Sequence, residues 1–248
     1  MDKVLIIIPV HNEADHLPDL LPKVLKEAKK VGADVVAIND ASTDDSLRCL
    51  TSYGISTLTH PCQMGYGVTI QTGYKYALAN HYDYLIQIDG DGQHDPRCVS
   101  LILAKLTRSA ADVVIGSRFM SKAKMPFHPR ESLYHGTPIR RIGIYLFRFI
   151  LLCLSFRKIT DPTSGFIGFN RRVLHFMCGK GFPFDYPDAD VVLTLLRNDF
   201  ALLEIPVYMY PKTKRYGLHR GCKPIWYVIK VSISLVIAFL RDKEVCDG

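Results

Sequence analysis

Short runs of Val, Leu and Ile, each closed by a polar or turn-forming cluster, alternate through the first half of the chain with stretches whose apolar residues recur at helical spacing. Residues 3–8 form the first run, ended by Pro9, and predict a parallel strand buried on both faces. Residues 34–38, 84–88 and 112–115 repeat the pattern, with a weaker strand over 55–59, and helical spacing over 17–30 and 68–80 lies between them. This is the βαβ signature, and it predicts five strands joined by right-handed crossovers in an open, doubly wound sheet up to Gly116. Such sheets bind ligands at the carboxyl ends of their strands. Every polar cluster in this half falls at one of those ends: Pro9-Val10-His11-Asn12-Glu13, Asn39-Asp40-Ala41-Ser42 and Asp89-Gly90-Asp91.

Beyond Arg118 the pattern changes. A polar, basic loop over 120–137 precedes an apolar helix over 138–155, the stretch Asp161-Pro162-Thr163-Ser164-Gly165-Phe166, helical spacing over 190–196 and a strand over 202–209. A basic loop over 211–223 then leads to a last apolar helix over 225–240. There are no internal repeats, so the expectation is an α/β domain over 1–220, made of a half over 1–116 and a half over 117–220, with a terminal helix segment over 221–248. Arg148 and Lys230 interrupt the two apolar helices, which favours lying in a membrane interface over crossing it. Basic residues flank both, and Trp226 and Tyr227 suit an interfacial belt; burial in the protein core is the alternative.

Net charge divides unevenly. Up to Gly116 there are 10 Lys/Arg against 14 Asp/Glu, and from Ser117 onward 21 against 10. An acidic half suits a cation; a basic half suits phosphates, an anionic lipid surface or nucleic acid. Nucleic acid ranks lowest, because none of its binding signatures is present. Seven cysteines form no C-x-x-C pair and no zinc-spaced cluster, and the amino terminus lacks a secretory pattern, so a reduced, cytoplasmic protein is expected, peripheral on the inner face of the membrane. No Gly-x-Gly-x-x-Gly follows the first strand and no Walker lysine motif occurs, which excludes the common dinucleotide and P-loop sites.

Asp-x-Asp just past a buried strand offers two carboxylates around a small residue that lets backbone approach a ligand. Mg²⁺ or Mn²⁺ takes one or two protein carboxylates and fills its shell with phosphates and water, so Asp89 and Asp91 supply what a metal-bound nucleotide diphosphate requires. Gln93 and His94 follow within reach of the same ligand. His11, His60 and His94 otherwise read as hydrogen-bonded loop histidines.

With Ile8-Pro9-Val10-His11-Asn12-Glu13, Asn39-Asp40-Ala41-Ser42-Thr43-Asp44, Asp89-Gly90-Asp91-Gly92-Gln93-His94-Asp95-Pro96, Gly116-Ser117-Arg118-Phe119 and Asp161 to Phe166 in this order, the chain resembles the family 2 glycosyltransferases of the GT-A fold. Within them it is similar to the dolichyl- or polyprenyl-phosphate sugar synthases. The resemblance implies that Pro9, Glu13 and Asp40 cradle the nucleoside, with His11 beside them, and that Asp89, Asp91 and Gln93 surround the metal. It implies that Arg118 and Arg140 or Arg141 hold an acceptor phosphate. The family's diphosphate-closing loop has its counterpart in Lys214-Arg215-Tyr216-Gly217-Leu218-His219-Arg220, where His219 replaces a serine and Arg220 a lysine. Asp188 and Asp190 stand where the family carries an acidic residue, and Asp190 joins Asp91 and Arg118 as the expected catalytic set; helix N-terminal aspartates are the plain alternative.

A phosphate acceptor is already anionic, whereas a sugar hydroxyl must lose its proton to a carboxylate. The leading expectation is an inverting, metal-dependent transferase moving sugar from a UDP- or GDP-linked donor to polyprenyl phosphate at an anionic membrane surface. Transfer to a glycan hydroxyl is the runner-up. A non-catalytic nucleotide-sugar-binding module is the reading from another class.

Overall fold

The computed structural model describes residues 2–121, 125, 138–179, 182, 188–211 and 223–241, with the side chains of 138–140 and 223–225 outside that description. Seven strands form one sheet: β1 (Val4–Val10), β2 (Ala33–Asn39), β3 (Ser56–Thr59), β4 (Tyr84–Gln87), β5 (Val113–Ser117), β6 (Ile167–Asn170) and β7 (Leu202–Pro206). Their order is β3-β2-β1-β4-β6-β5-β7. All pairs are parallel except those made by β6, which runs antiparallel to both β4 and β5. The mostly parallel α/β sheet agrees with the sequence, and β6, absent from the strands the sequence predicts, lies between β4 and β5. β6 leaves the turn at Asp161–Phe166, which lies at the carboxyl ends of β4 and β5, so it enters the gap between them from that end and has to run backwards.

β1 is buried along its whole length because it is central and covered on both faces. Leu5 and Ile7 join one core with Ile38, Tyr74, Phe147, Phe169 and Leu193, while Ile6 and Ile8 join the other with Leu21, Val24, Ile102 and Phe166. Helices α1 (Leu17–Val31), α2 (Ser46–Ser52) and α4 (Val99–Arg108) cover the second core, α3 (Tyr66–Ala79), α6 (Arg171–Met177) and α7 (Ala189–Arg197) the first. α5 (Pro138–Ser155) and α8 (Lys223–Leu240) pack on α7 and on each other. α8 begins two residues before the expected 225.

Among the described residues no helix is long and apolar enough to cross a membrane. α5 turns Ile144, Phe147 and Leu151 inward, and α8 turns Val231 and Leu235 inward. Their outer faces stay apolar. Of the eighteen exposed large hydrophobic residues described, thirteen belong to α5, α8 or the adjoining Phe156, so the exposure is concentrated in one structural layer.

β6 fits against α4 only because position 168 is glycine: a Cβ there would meet Ile102 Cγ2 at 2.5 Å and Leu106 Cδ1 at 2.9 Å. Gly168→Ala is expected to cost about 1–3 kcal/mol through overpacking, lowering Tm by roughly 2–4 °C for each kcal/mol. Thermal denaturation followed by circular dichroism checks this.

Candidate functional site

The strand ends are tied together before any ligand is considered. Asn12, in the left-handed region at φ 56, accepts hydrogen bonds at Oδ1 from the backbone N–H groups of Thr43 and Asp44, and its own N–H donates to Ser42 Oγ. Glu13 N–H donates to Ser46 Oγ, and its carboxylate meets His16 Nδ1 at 2.6 Å. These bonds join the loop after β1 to the loop after β2. His11 donates from Nδ1 to the carbonyl of Asp40.

Asp40 is only 3% exposed, and both of its oxygens are engaged. Oδ1 accepts from His60 Nδ1 and Met64 N–H, each at 2.8 Å, and Oδ2 from Gly65 N–H at 2.9 Å. Burial by itself would raise the carboxyl pKa, but these three donors outweigh it and hold the pKa below its ordinary value. The residue expected to touch the nucleoside therefore also latches the segment that leads into α3, where Gly65 supplies φ 92.

Asp89 lies two residues past β4, clasped from several sides. Oδ1 accepts from the Tyr66 hydroxyl at 2.9 Å. That hydroxyl accepts from Gln87 Nε2 at 2.8 Å, and Gln87 Nε2 also donates to the Gly165 carbonyl, while Gln87 Oε1 accepts from Tyr74. Burial, then the charge on Asp89, pushes the Tyr66 hydroxyl well above its ordinary pKa, which keeps it a donor. On the other side Asp89 N–H donates to His94 Nδ1, so the ring proton sits on Nε2, which faces Asp89 Oδ2 at 3.7 Å. His94 is stacked on buried Phe166, ring centroids 4.8 Å apart.

Gly90 fits beneath the Pro9 carbonyl, which a Cβ would approach to 2.9 Å. Asp91 accepts from Gln93 N–H, closing a turn in which Gly92 has φ 72. Gln93 Nε2 donates to the Tyr210 carbonyl, and Tyr210 N–H donates to the Gln93 carbonyl. The chain thus leaves the described structure at Pro211 right beside the Asp-x-Asp turn. Among the described residues no group of three His, Cys, Asp or Glu could cage a metal. Two hard carboxylates without a cage are the donor set for Mg²⁺ or Mn²⁺ that draws the rest of its shell from a diphosphate and water, so these residues fit that ion and not a closed zinc centre.

On the acceptor side, Arg118 grips Asp161 with Nε at 2.7 Å and Nη2 at 2.5 Å, and Nη2 also reaches the carbonyl and hydroxyl of Thr163. Both side chains are buried, at 7% and 0% exposed. Glu204 on β7 accepts from the N–H groups of Thr160 and Asp161, so β5, the loop and β7 share one polar tie. Asp190 is buried, with Oδ1 accepting from the N–H groups of Asp188 and Val191 and Oδ2 from the Ser234 hydroxyl of α8. Burial raises its pKa despite those bonds. Asp188 accepts from the Tyr227 hydroxyl and is close enough for its charge to act on Tyr66.

Arg141 is exposed on α5. The side chain of Arg140, and Lys214, Arg215, His219 and Arg220, lie outside the described residues. Tyr66 and Gln87 were missed by the sequence reading. Tyr66 stands between two glycines at a helix start and Gln87 interrupts a buried strand, which were the available signals.

The model of the family described as Glycosyl transferase family 2 matches residues 5–177. Polyprenol monophosphomannose synthase of Mycolicibacterium smegmatis is 25% identical over 216 residues, 83% of this chain and 76% of the relative. Undecaprenyl-phosphate mannosyltransferase of Micrococcus luteus is 27% identical over 218 residues, 83% of this chain and 82% of the relative. Among solved structures, glucosyl-3-phosphoglycerate synthase from Mycobacterium tuberculosis in complex with Mn²⁺, uridine-diphosphate and phosphoglyceric acid has a TM-score of 0.71 at 14% identity, covering 97% of this chain and 80% of that one. That likeness establishes the GT-A fold.

Asp40 provides a pH test of the strand-end latch. Because its folded pKa lies below the ordinary 3.8, its contribution to stability is fully present above that value and is lost as pH falls through the lower folded value. Asp40→Asn is expected to cost about 1–3 kcal/mol at neutral pH and to flatten the acid limb of stability. Urea denaturation between neutral pH and the acid limb measures both effects.

Proposed function

We propose that this chain, which belongs to glycosyl transferase family 2, moves a sugar from a UDP- or GDP-linked donor to a polyprenyl phosphate at a membrane surface. The observation that carries the reading is the clasp on Asp89, fixed by Tyr66, His94 and Gly165 beside Asp91 at the carboxyl end of β4. The relatives named for transfer to polyprenyl or undecaprenyl phosphate support the acceptor class. A bound Mg²⁺ or Mn²⁺ would neutralise charge growing on the departing diphosphate. Asp89 and Asp91 would hold that ion, with Gln93 in the same turn. Pro9, His11, Glu13 and Asp40 line the neighbouring strand ends for the nucleoside. Tyr66 and His94 orient Asp89 so that its oxygens need not reorganise during reaction.

Lys214, Arg215, His219 and Arg220 come shortly after Tyr210 in the sequence, and the backbone of Tyr210 is bonded to Gln93. A phosphate acceptor attacks as an anion and requires no base, which suits an Asp190 wholly engaged in helix ties. The second reading, a hydroxyl acceptor, draws on Asp188, the carboxylate near Tyr66.

Transfer with UDP- and GDP-sugars, with and without Mn²⁺, to polyprenyl phosphate and separately to lipid-linked glycan tests the proposal. Asp91→Asn is expected to lower transfer at least about 100-fold, and chelation to abolish it. Transfer that is indifferent to both overturns the metal role, and turnover with the glycan alone overturns the acceptor.

The exposed outer faces of α5 and α8 support peripheral membrane association. Ile142, Tyr145, Phe149 and Phe156 on one helix and Trp226, Ile229, Ile233 and Leu240 on the other keep helical spacing without a covering layer. The described cysteines are free thiols, which suits a reducing compartment. Phe149→Asp combined with Ile233→Asp is expected to abolish co-sedimentation with anionic phosphatidylglycerol vesicles while donor binding persists. Unchanged sedimentation overturns the membrane role of this face.

A further inference from the structure

Arg148, near the middle of α5, is the one described residue whose buried cationic nitrogens have no acceptor. Its guanidinium lies over two rings, with Cζ 4.4 Å from the centroid of Phe119 and 5.2 Å from that of Tyr145. Stacking satisfies the flat face of the cation. It leaves the edge unsatisfied. Nε and Nη2 are closed off from solvent and donate to nothing, whereas the guanidiniums of Arg97, Arg118 and Arg172 each meet a carboxylate. A buried donor edge of this kind is satisfied by an ordered water or by a ligand.

The position says what arrives. Phe119 follows Arg118 at the carboxyl end of β5, and Arg118 Cζ lies 5.5 Å from the same ring. Arg148 is therefore at the strand-end side of the sheet, where ligands bind. Along α5, Tyr145 and Arg141 stand three and seven residues before it, on the same helix face. Ile142 and Phe149, at the apolar outer surface, flank that line. Phe119 and Tyr145 are 42% and 57% exposed, so the guanidinium lies a single layer below the surface. A lipid phosphate with its tail in a bilayer and its phosphate in the cleft has to pass between these two surfaces.

We propose that the edge of Arg148 binds the phosphate of the lipid acceptor, with Phe119 and Tyr145 holding the guanidinium plane in register. A guanidinium fork donates two parallel hydrogen bonds to phosphate, and Nε with Nη2 is such a pair. Arg118 is held to Asp161 and Thr163 through Nε and Nη2, and Arg148 adds a second guanidinium edge on the same Phe119 ring. The inference rests on the polyprenyl-phosphate reading and adds to it a residue and a binding mode.

The test compares wild type with Arg148→Met, which fills the same space without donors, and Arg148→Lys, which keeps charge without the fork. Steady-state KM is measured for polyprenyl phosphate and for donor. Binding of farnesyl phosphate, farnesol and inorganic phosphate in detergent is measured by calorimetry. Arg148→Met is expected to raise the acceptor KM at least tenfold, leave the donor KM unchanged, and erase the preference for farnesyl phosphate over farnesol, with Tm equal to or above that of wild type. Arg148→Lys is expected to recover part of the acceptor KM. Competition by inorganic phosphate that is lost in Arg148→Met identifies the headgroup alone as the recognised element; no competition in wild type identifies phosphate recognised only with its prenyl chain. If wild type transfers to polyprenyl phosphate and Arg148→Met does so with the same acceptor KM, this inference fails and the functional reading stands. If wild type neither transfers to nor binds the prenyl phosphate, both fail. An Arg148→Met protein that does not fold leaves Arg148→Lys to decide, and an unchanged acceptor KM there with unchanged phosphate preference overturns the fork.

Discussion

Asp89 Oδ2 occupies space that any side chain at position 165 would take, since a Cβ on Gly165 would lie 2.6 Å from it. That close approach links two distant parts of the chain. Gly165 ends the turn from which β6 starts, and β6 is the strand that runs backwards between β4 and β5. The same glycine's carbonyl accepts from Gln87, which orders Tyr66, which in turn bonds Asp89. The carboxylate is therefore oriented by the topology of the sheet as well as by its neighbours in sequence. A hydrogen-bonded network of this kind favours one arrangement, because buried Gln87 would bear a desolvation cost if left unpaired.

Much of the nucleotide half was legible in the sequence because its signals are local. A strand covered on both faces needs an unbroken apolar run, and β1 has one from Val4 to Ile8. The polar clusters at the ends of β1, β2 and β4 fell where a parallel sheet puts its ligands, and Asp-Gly-Asp needed a small central residue under the Pro9 carbonyl. What escaped depended on partners far away in sequence. β6 is four residues long and contains a glycine, a pattern that signals a turn, and only α4 lying across it explains Gly168. Tyr66 gains its meaning from Asp89 and Gln87, and Asp188 is distinguished from Asp190 only by Tyr227 and Ser234 on α8. Spacing could nominate both aspartates but not say which one turns inward.

The two halves handle charge differently, and this follows from what each has to hold still. Asp40 and Asp89 at the nucleotide end are held by backbone N–H groups, tyrosine and histidine, with no arginine or lysine among the bonds to them. On the other side, Arg118 and Asp161 neutralise each other in a buried pair. Removing one partner from such a pair is expected to cost about 3–5 kcal/mol because the other charge is left buried alone. The pair holds the Asp161–Phe166 turn against β5, while Glu204 secures the same turn from β7. Arg118 thereby ties the end of β5 to this turn.

α5 and α8 complete this logic, because each carries large apolar residues on both its inner and its outer face, and those of the outer face stay exposed. A helix that is apolar all round belongs in a core or against lipid. The inner face of α8 carries Val231 and Leu235 into the core and presents Tyr227 and Ser234 to Asp188 and Asp190. Any surface that engages the outer face of α8 is thus one helix away from the carboxylates of Asp188 and Asp190. Shifting α8 by a fraction of a turn would break two hydroxyl–carboxylate bonds at the N-terminus of α7, and rigid packing against α5 resists this. A Cβ on Gly143 would meet Val228 at 2.9 Å, so the two helices already touch as closely as their side chains permit. Close contact between the outer pair, and hydroxyl ties from that pair to α7, let a peripheral surface and an internal cleft be held in one register.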